Sequence, residues 1–334
     1  MNALSEAELD AVMARLAAGE ARVLSRAVSL IENDTVRGMA LLERVYAEAP
    51  HPWVIGVTGV GGAGKSSLLP LLAGHFADGG AKVAILAVDP TSPISGGAVL
   101  GDRIRSMKAP HAGIYFRSIA SRGGSGGLST CIADVVRLMS AAGRAIVLVE
   151  TVGAGQSEVA IRDIAHATVV VTAPGLGDEV QAMKAGILEI GSVLVVNKAD
   201  LPGADEAANT LQHVMALAPG AGHLVEGVNE ADGELPLRWF PPVVQTSAQS
   251  GAGLETLIAR LQEHRSFLER SGEYGRRNLA RDRARMDERL RALLLDRAMA
   301  RARDTGLWQS VQQRLAAGAT DPLRAAREIV AAVV

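Results

Sequence analysis

The chain has 334 residues, of which 48% are hydrophobic and 21% are charged. This much apolar material excludes an intrinsically disordered chain and is enough for about two domains. The 34 Lys and Arg residues nearly balance the 36 Asp and Glu residues, the net charge is −2, and only 3% of residues are aromatic. We therefore expect no nucleic-acid partner, since neither a basic surface nor an aromatic stacking platform is indicated.

Two features of the sequence bear on location. The N-terminus lacks the basic region followed by an apolar run that is typical of a signal peptide. Apolar runs such as 145–149 are far shorter than the ~20 residues that a membrane-spanning helix needs. We expect a cytoplasmic protein that does not bind a membrane. Its single cysteine, Cys131, cannot form an intrachain disulfide and is predicted to be a buried structural thiol.

Residues 1–50 are predicted to form an N-terminal helical extension, because apolar residues recur there at spacings of three and four. Short apolar runs that are typical of buried strands follow. They lie at 53–58, 82–88, 145–149, 168–172, 192–196 and 242–246, and predicted helices such as 66–77 and 132–142 separate most of them. This alternation predicts an α/β domain over residues 51–264, with a mainly parallel sheet and helices on both faces.

Beyond Gly253 the sequence is helical to its end, and residues 265–334 are predicted to form a C-terminal helical arm. Ten arginines between residues 276 and 303 alternate with apolar residues that share one helix face: Met286, Leu290, Leu293 and Leu294. This pattern favours a solvated helix with one packed stripe over an anion-binding surface. Because the arm lies outside the sheet, we expect it to dimerise the chain into a homodimer.

Residues 59–66 read Gly-Val-Gly-Gly-Ala-Gly-Lys-Ser and fit the phosphate-loop pattern G-x-x-x-x-G-K-S/T, between a predicted strand and a predicted helix. Glycines allow backbone N–H groups to converge on phosphate oxygens, and the helix N-terminus adds a partial positive charge. Lys65 is predicted to contact the β- and γ-phosphates, and the Ser66 hydroxyl to bind Mg²⁺. The motif predicts a P-loop NTPase, with these nucleotide-binding residues: Gly61, Gly62, Ala63, Gly64, Lys65, Ser66 and Ser67.

Two carboxylates follow predicted strands, Asp89 after the run 82–88 and Glu150 after the run 145–149. In a parallel sheet both would emerge at the edge that carries the phosphate loop, where they could serve Mg²⁺ directly or through water. The segment from Glu150 to Gly153 has the form of an acidic-x-x-Gly switch. In such a switch the Gly153 N–H could contact the γ-phosphate.

Residues 197–200 read Asn-Lys-Ala-Asp and follow a predicted strand, which is the N-K-x-D pattern of guanine recognition. The Asp200 carboxylate can accept hydrogen bonds from both N1–H and the 2-amino group of guanine, an arrangement that adenine does not offer. Lys198 would lie along the base plane, and the Ser247–Ala248 segment would supply a backbone N–H to guanine O6. Together with Asn197, these residues predict that the nucleotide is GTP or GDP.

Longer motifs resemble the MeaB/ArgK family of G proteins, which includes the methylmalonic aciduria type A protein. They lie at 88–93, 96–103, 117–123, 150–158 and 174–179, and the resemblance covers nearly the whole chain. It implies a GTPase that acts as a metallochaperone for an adenosylcobalamin-dependent acyl-CoA mutase. Such a protein gates delivery of the cofactor by an adenosyltransferase and protects the mutase from inactivation.

By the same resemblance, Asp89, Asp102 and Glu150 match the Mg²⁺-site and catalytic carboxylates of the family, beside Lys65. Residues 178–190 match a third mobile segment. The residues expected to switch or to contact a partner are Gln156, Asp178, Glu179, Gln181 and Lys184. Because Gln156 lies three residues past Gly153 rather than directly after it, its role in orienting the attacking water stays open, and we expect slow hydrolysis that a partner stimulates.

Three questions stay open at this point. Ser67 and Ser121 stand where the family commonly has Thr, which leaves room for a client other than methylmalonyl-CoA mutase, such as an isobutyryl- or 2-hydroxyisobutyryl-CoA mutase. A GTP-dependent kinase of the ArgK type would need an acceptor site, for which no separate domain is evident. A nickel-insertion GTPase would favour a His-rich tail or a Cys/His site, whereas the seven histidines are scattered.

Overall fold

The computed structural model describes residues 4–90, 113–121, 131–151, 160–176, 185–217, 223–224 and 238–333. The chain divides into two compact units, Met1–Arg277 and Asn278–Val334. The expected boundary at residue 264 falls inside one helix, α8 (Leu254–Arg270). The division into an N-terminal extension, a GTP-binding domain and an arm therefore stays a prediction.

Three helices open the first unit and confirm the helical start: α1 (Glu6–Ala17), α2 (Ala21–Glu32) and α3 (Val36–Glu48). Ser5 begins α1 with a capping box, since the Glu8 N–H donates to its hydroxyl and its own N–H donates to the Glu8 carboxylate at 2.9 Å. The Thr35 hydroxyl begins α3 in the same manner by accepting from the Gly38 N–H at 3.0 Å.

Seven parallel strands form the main sheet, in the order β3-β2-β4-β1-β5-β6-β9. They are β1 (Trp53–Gly59), β2 (Val83–Pro90), β3 (Ile114–Ser121), β4 (Ile146–Thr151), β5 (Ala167–Thr172), β6 (Val193–Val196) and β9 (Val243–Gln245). Two short strands, β7 (His223–Leu224) and β8 (Arg238–Trp239), form a separate antiparallel pair. The predicted parallel α/β sheet is confirmed.

Six of the seven strands coincide with predicted apolar runs, but β3 was not predicted. Arg117 and Ser118 interrupt its apolar pattern. In addition, β3 lies at one end of the strand order and pairs with β2 alone. A strand in that position is not buried along its whole length, so it does not read as a continuous apolar run.

Helices cover both faces of the sheet, as predicted. The remaining helices of the first unit are α4 (Lys65–Asp78), α5 (Cys131–Ala141), α6 (Ala185–Glu189), α7 (Ala204–Leu217) and α8. On one face, α1, α2, α3 and α5 pack on strand residues such as Val147 and Val149. On the other face, α4 and α8 pack on residues such as Ile55 and Val57. No helix in the described ranges combines the length and the apolar character needed to cross a membrane.

The remaining chain is helical to its described end, as predicted. Helix α9 (Glu273–Asp304) begins in the first unit, and α10 (Leu307–Ala316) and α11 (Pro322–Val333) belong to the second. The prediction that one face of α9 is packed is wrong for the single chain. More than half of each side chain of the apolar set (Met286, Leu290, Leu293 and Leu294) is exposed, because no described element covers that face.

The end of β1 provides a test of the packing. Gly59 has φ 130°, and a Cβ at this position would lie 2.7 Å from the backbone nitrogen of Val171 in β5. We expect Gly59→Ala to lower the free energy of unfolding in urea by about 2–4 kcal/mol, because both φ and the strand spacing oppose a side chain.

Gly61→Ala is the matched control, since a Cβ there would meet no described atom within 4 Å. It should change the free energy of unfolding by no more than about 0.5 kcal/mol. Equal stabilities of the two variants would contradict the close approach of β1 and β5.

Candidate nucleotide-binding site

The predicted phosphate loop connects β1 to α4. Gly62 and Gly64 have φ of 75° and 87°, which places both in the left-handed region that glycine adopts at little cost. Gly61 and Gly62 are exposed, and a Cβ at either position would meet no described atom within 4 Å. The outer side of the loop is thus open. At the start of α4, the Ser67 and Leu68 N–H groups both donate to the carbonyl oxygen of Gly64, at 3.1 and 3.0 Å.

Lys65 is the first residue of α4 and is buried, with 6% of its surface exposed. Its Nζ donates to the carbonyl oxygen of Gly59 at 2.6 Å and to that of Val60 at 2.8 Å. The side chain therefore lies back across the start of the loop. These two carbonyl groups orient the ammonium without cancelling its charge.

Asn197 directly follows β6 and is 1% exposed. Its Nδ2 donates to the carbonyl oxygen of Ala63 in the phosphate loop at 2.8 Å. Its Oδ1 accepts from the Thr246 hydroxyl at 3.2 Å and from the Ala248 N–H at 3.1 Å. One amide side chain thus joins the phosphate loop to the segment that follows β9.

The other residues of the N-K-x-D motif lie beside this junction. Lys198 is exposed and has φ 59°, and the Ala199 N–H donates to the carbonyl oxygen of Thr246 at 2.9 Å. Asp200 is also exposed, and its carboxylate accepts a hydrogen bond from the buried Ser247 hydroxyl. Ser247 orients this carboxylate, which as a whole can accept about four hydrogen bonds.

A backbone N–H of the segment around Ser247 and Ala248 is predicted to contact guanine O6, and the Ala248 N–H donates to Asn197 in this structure. The Ser247 N–H is also engaged and donates to the carbonyl oxygen of Ala252 at 2.9 Å. A guanine oxygen at this position must therefore share the Ala248 N–H with Asn197 or replace Asn197 as its acceptor.

Glu150 and Asp89 both stand near the carboxyl ends of their strands. Glu150 is buried and precedes the last residue of β4, and its Cα pairs in register with Val57 of β1 and Ala87 of β2. Asp89 lies two residues farther along β2 than Ala87 and pairs with Ala120 of β3. Each is the last residue but one of its strand, which agrees with the predicted position at the strand end, and its role at a metal ion stays a prediction. Among the described residues, no group of three or more His, Cys, Asp and Glu side chains could hold a metal ion.

Several predicted residues lie outside the described ranges: Asp102, Gly153, Gln156, Asp178, Glu179, Gln181 and Lys184. The structure adds one polar contact that sequence reasoning missed. The Thr151 hydroxyl donates to the Thr58 hydroxyl at 2.9 Å, and both side chains are buried at adjacent ends of β4 and β1. The sequence signal for this contact was a threonine near the end of each of two apolar runs.

Comparison with known proteins decides the family. The family model described as "Methylmalonyl Co-A mutase-associated GTPase MeaB" matches residues 24–303. The chain belongs to the MeaB family of GTPases. Within this assignment, a putative GTPase of Pyrococcus abyssi is 38% identical over 287 residues, which cover 86% of this chain and 84% of that protein.

Two further relatives extend the MeaB comparison. GTPase ArgK of Escherichia coli is 32% identical over 274 residues, which cover 80% of each chain. The mitochondrial methylmalonic aciduria type A homolog of Mus musculus is 30% identical over 280 residues, which cover 79% of this chain and 65% of that protein. A crystal structure titled LAO/AO transport system kinase shares the fold, with a TM-score of 0.68, 22% identity and 98% coverage of both chains.

The Asn197 junction provides a test of the site. We expect Asn197→Ala to lower the free energy of unfolding by about 2–4 kcal/mol. The substitution removes three hydrogen bonds and leaves buried polar groups in two loops without the partner that Asn197 supplies. Urea denaturation measures this change. Asn209→Ala, an exposed asparagine of α7, is the matched control and should lie within about 0.5 kcal/mol of the parent. If the Asn197→Ala variant is as stable as the control, the hydrogen bonds of Asn197 do not stabilise the contact between the phosphate loop and the segment after β9.

Proposed function

We propose that this MeaB-family GTPase binds GTP with Mg²⁺ at the candidate nucleotide-binding site and uses its hydrolysis to serve an adenosylcobalamin-dependent acyl-CoA mutase as a chaperone. The observation that carries the nucleotide part of this proposal is the Asn197 junction. Its amide side chain holds the phosphate loop and the Thr246–Ala248 segment together. The phosphate loop can therefore bind the triphosphate while the joined Thr246–Ala248 segment lies at the base.

The phosphate end of the site depends on Lys65 and on the amides of the loop. The ammonium is held at the start of the loop by two carbonyl oxygens. A triphosphate would draw this charge toward its β- and γ-phosphates, while N–H groups of residues 61–66 would bind the phosphate oxygens. These interactions position the γ-phosphate for attack by water and stabilise the charge that develops on it.

Mg²⁺ fits the donor set at this edge, because hydroxyl and carboxylate oxygens are the ligands that it prefers. Ser66 stands in the first turn of α4, while Glu150 and Asp89 stand on the neighbouring strands β4 and β2. We assign these three residues and Asp102 to hold the ion, directly or through water. When bound, the ion neutralises charge on the β- and γ-phosphates.

The base end of the site depends on Asp200. The buried Ser247 hydroxyl orients its carboxylate, which remains exposed toward solvent. Guanine would donate two hydrogen bonds to this carboxylate, whereas adenine would place an unprotonated N1 against it. Because hydrogen bonds to charged groups contribute about 1.5–3 kcal/mol each, this difference is large enough for a selective GTP site.

The partner part of the proposal is supported by the family and by its members. The matching family model is described as mutase-associated, and the mouse relative is named for methylmalonic aciduria type A. We propose methylmalonyl-CoA mutase or a related isobutyryl- or 2-hydroxyisobutyryl-CoA mutase as the client, with an adenosyltransferase as a further partner. The active form is proposed to be a cytoplasmic homodimer.

The base assignment leads to a direct prediction. Asp200→Asn should weaken GTP binding by about 10²- to 10⁴-fold and should favour xanthosine triphosphate, whose 2-oxo group accepts from the new amide. Calorimetric titration of the parent and the variant with both nucleotides measures the change.

Asp205→Asn is the matched control, since Asp205 is also exposed and accepts from the Gln245 side chain at 2.8 Å nearby. This variant should keep the GTP affinity of the parent. If Asp200→Asn also keeps it, the base site has been assigned to the wrong carboxylate.

The chaperone assignment predicts that a client mutase accelerates GTP hydrolysis at least about tenfold, because a partner that completes the site lowers the barrier. Phosphate release from γ-labelled GTP is measured with each of the three candidate mutases and with serum albumin as the control. The absence of acceleration by every mutase would count against the chaperone role. Label in an added acceptor rather than in phosphate would indicate a kinase.

A further inference from the structure

The three N-terminal helices form a groove whose lining includes no residue of the phosphate-loop or N-K-x-D motifs. It has a volume of about 420 Å³, and its floor is apolar, with half-buried residues such as Val12, Val23 and Leu30. Half-buried side chains at the floor of an open groove still expose apolar surface that an occupant could cover. The groove is therefore a candidate binding surface.

Four arginines line this groove together with a single glutamate, Glu8. Arg15 pairs with Glu20 at 2.7 Å, outside the groove lining. Arg22 and Arg26 are exposed, and neither forms an ion pair with another described residue. In a chain of net charge −2, this concentration of positive charge attracts a negatively charged occupant.

The arginines are distributed along the groove. Arg15 lies in the last turn of α1 and Arg22 in the first turn of α2, so both lie near the short α1–α2 connection. Arg26 stands one helical turn farther along α2. Arg37 lies in the first turn of α3 and lines the groove together with Glu8, which lies in the first turn of α1. A fatty acid or another amphiphile with one anionic end would use positive charge at one end only.

Hydrogen bonds between α2 and β3 fix the position of the helix that forms one wall of the groove. The opposite face of α2 is fixed to β3, where the Arg117 guanidinium donates to the Glu32 carboxylate at 2.7 Å and to the Ser29 hydroxyl at 3.1 Å. The Ser25 and Tyr115 hydroxyls lie 3.2 Å apart in a further hydrogen bond. A partner would thus bind a surface that is already ordered, which reduces the entropic cost of association.

We propose that this groove docks an acidic amphipathic helix of a partner protein. From Glu8 to Arg15 the α1 wall spans about 10 Å, which matches about two turns of a helix. Apolar residues at i, i+3 or i+4 and i+7 of that helix would cover the floor, and flanking Glu or Asp residues would face the arginines. The match to the MeaB family model begins at residue 24, so α1 and Arg22, which form one side of the groove, lie outside the matched residues. This docking does not depend on the proposed nucleotide chemistry.

The test uses a fluorescein-labelled helical peptide of about 14 residues, with leucines along one stripe and glutamates on both flanks, titrated with the full chain in an anisotropy measurement. Saturable one-to-one binding is expected. Arg22→Glu/Arg26→Glu should weaken it at least tenfold, because charge attraction becomes repulsion. Ala11→Trp, which fills the groove from an exposed position of α1 without changing its charge, should weaken it similarly.

The matched charge control is Arg260→Glu/Arg270→Glu, which reverses two exposed arginines of α8 outside the groove and should leave the peptide affinity unchanged. Circular dichroism and retained GTP binding verify that each variant is folded. A loss with the groove arginines but not with Ala11→Trp would indicate general electrostatic binding and would overturn the proposal. Saturable binding of dodecanoate in place of the peptide, or binding of neither probe, would also overturn it.

Discussion

The hydrogen bonds of the Asn197 side chain are the interaction on which the candidate nucleotide-binding site depends. A buried amide is costly unless its donor and acceptor atoms are satisfied, and here both are, by groups on two different loops. The carbonyl oxygen of Ala63 belongs to the loop proposed for phosphate, and the Ala248 N–H belongs to the segment proposed for the base. Hydrogen bonds within the protein thus hold the two halves of the site together.

The parallel sheet explains why these loops meet. All seven strands run in one direction, so the ends of β1, β4, β6 and β9 lie along the same edge. Close packing at this edge requires Gly59, where a side chain would meet the backbone of β5. The Thr58–Thr151 hydrogen bond links the ends of β1 and β4 beside the loop. The parallel sheet therefore positions the loops of the candidate nucleotide-binding site.

Much of the fold could be predicted from the sequence, because it depends on local patterns, whereas the membership of the nucleotide site stays a prediction. Apolar runs indicated six strands, and the phosphate-loop and N-K-x-D motifs indicated which residues follow them. The strand β3 was missed because Arg117 and Ser118 break its pattern. The expected packed stripe of α9 failed because helical periodicity reports an apolar face without reporting what covers it.

Other details of the site could not be predicted, because they depend on contacts between distant segments. The sequence assigned the contact with guanine O6 to the Ser247–Ala248 segment but could not show that the Ala248 N–H donates to Asn197. It assigned Lys65 to phosphate but could not show that its ammonium lies on the carbonyl groups of Gly59 and Val60. Both arrangements are set by packing across the edge of the sheet.

The most direct test of the central claim is a pair of calorimetric titrations of the unmodified full chain with GTP and with ATP, both in the presence of Mg²⁺. The proposed guanine-selective site predicts one GTP bound per chain, with an affinity at least about 10³-fold greater than that for ATP. Equal affinity for the two nucleotides, or no heat with either, would contradict the account.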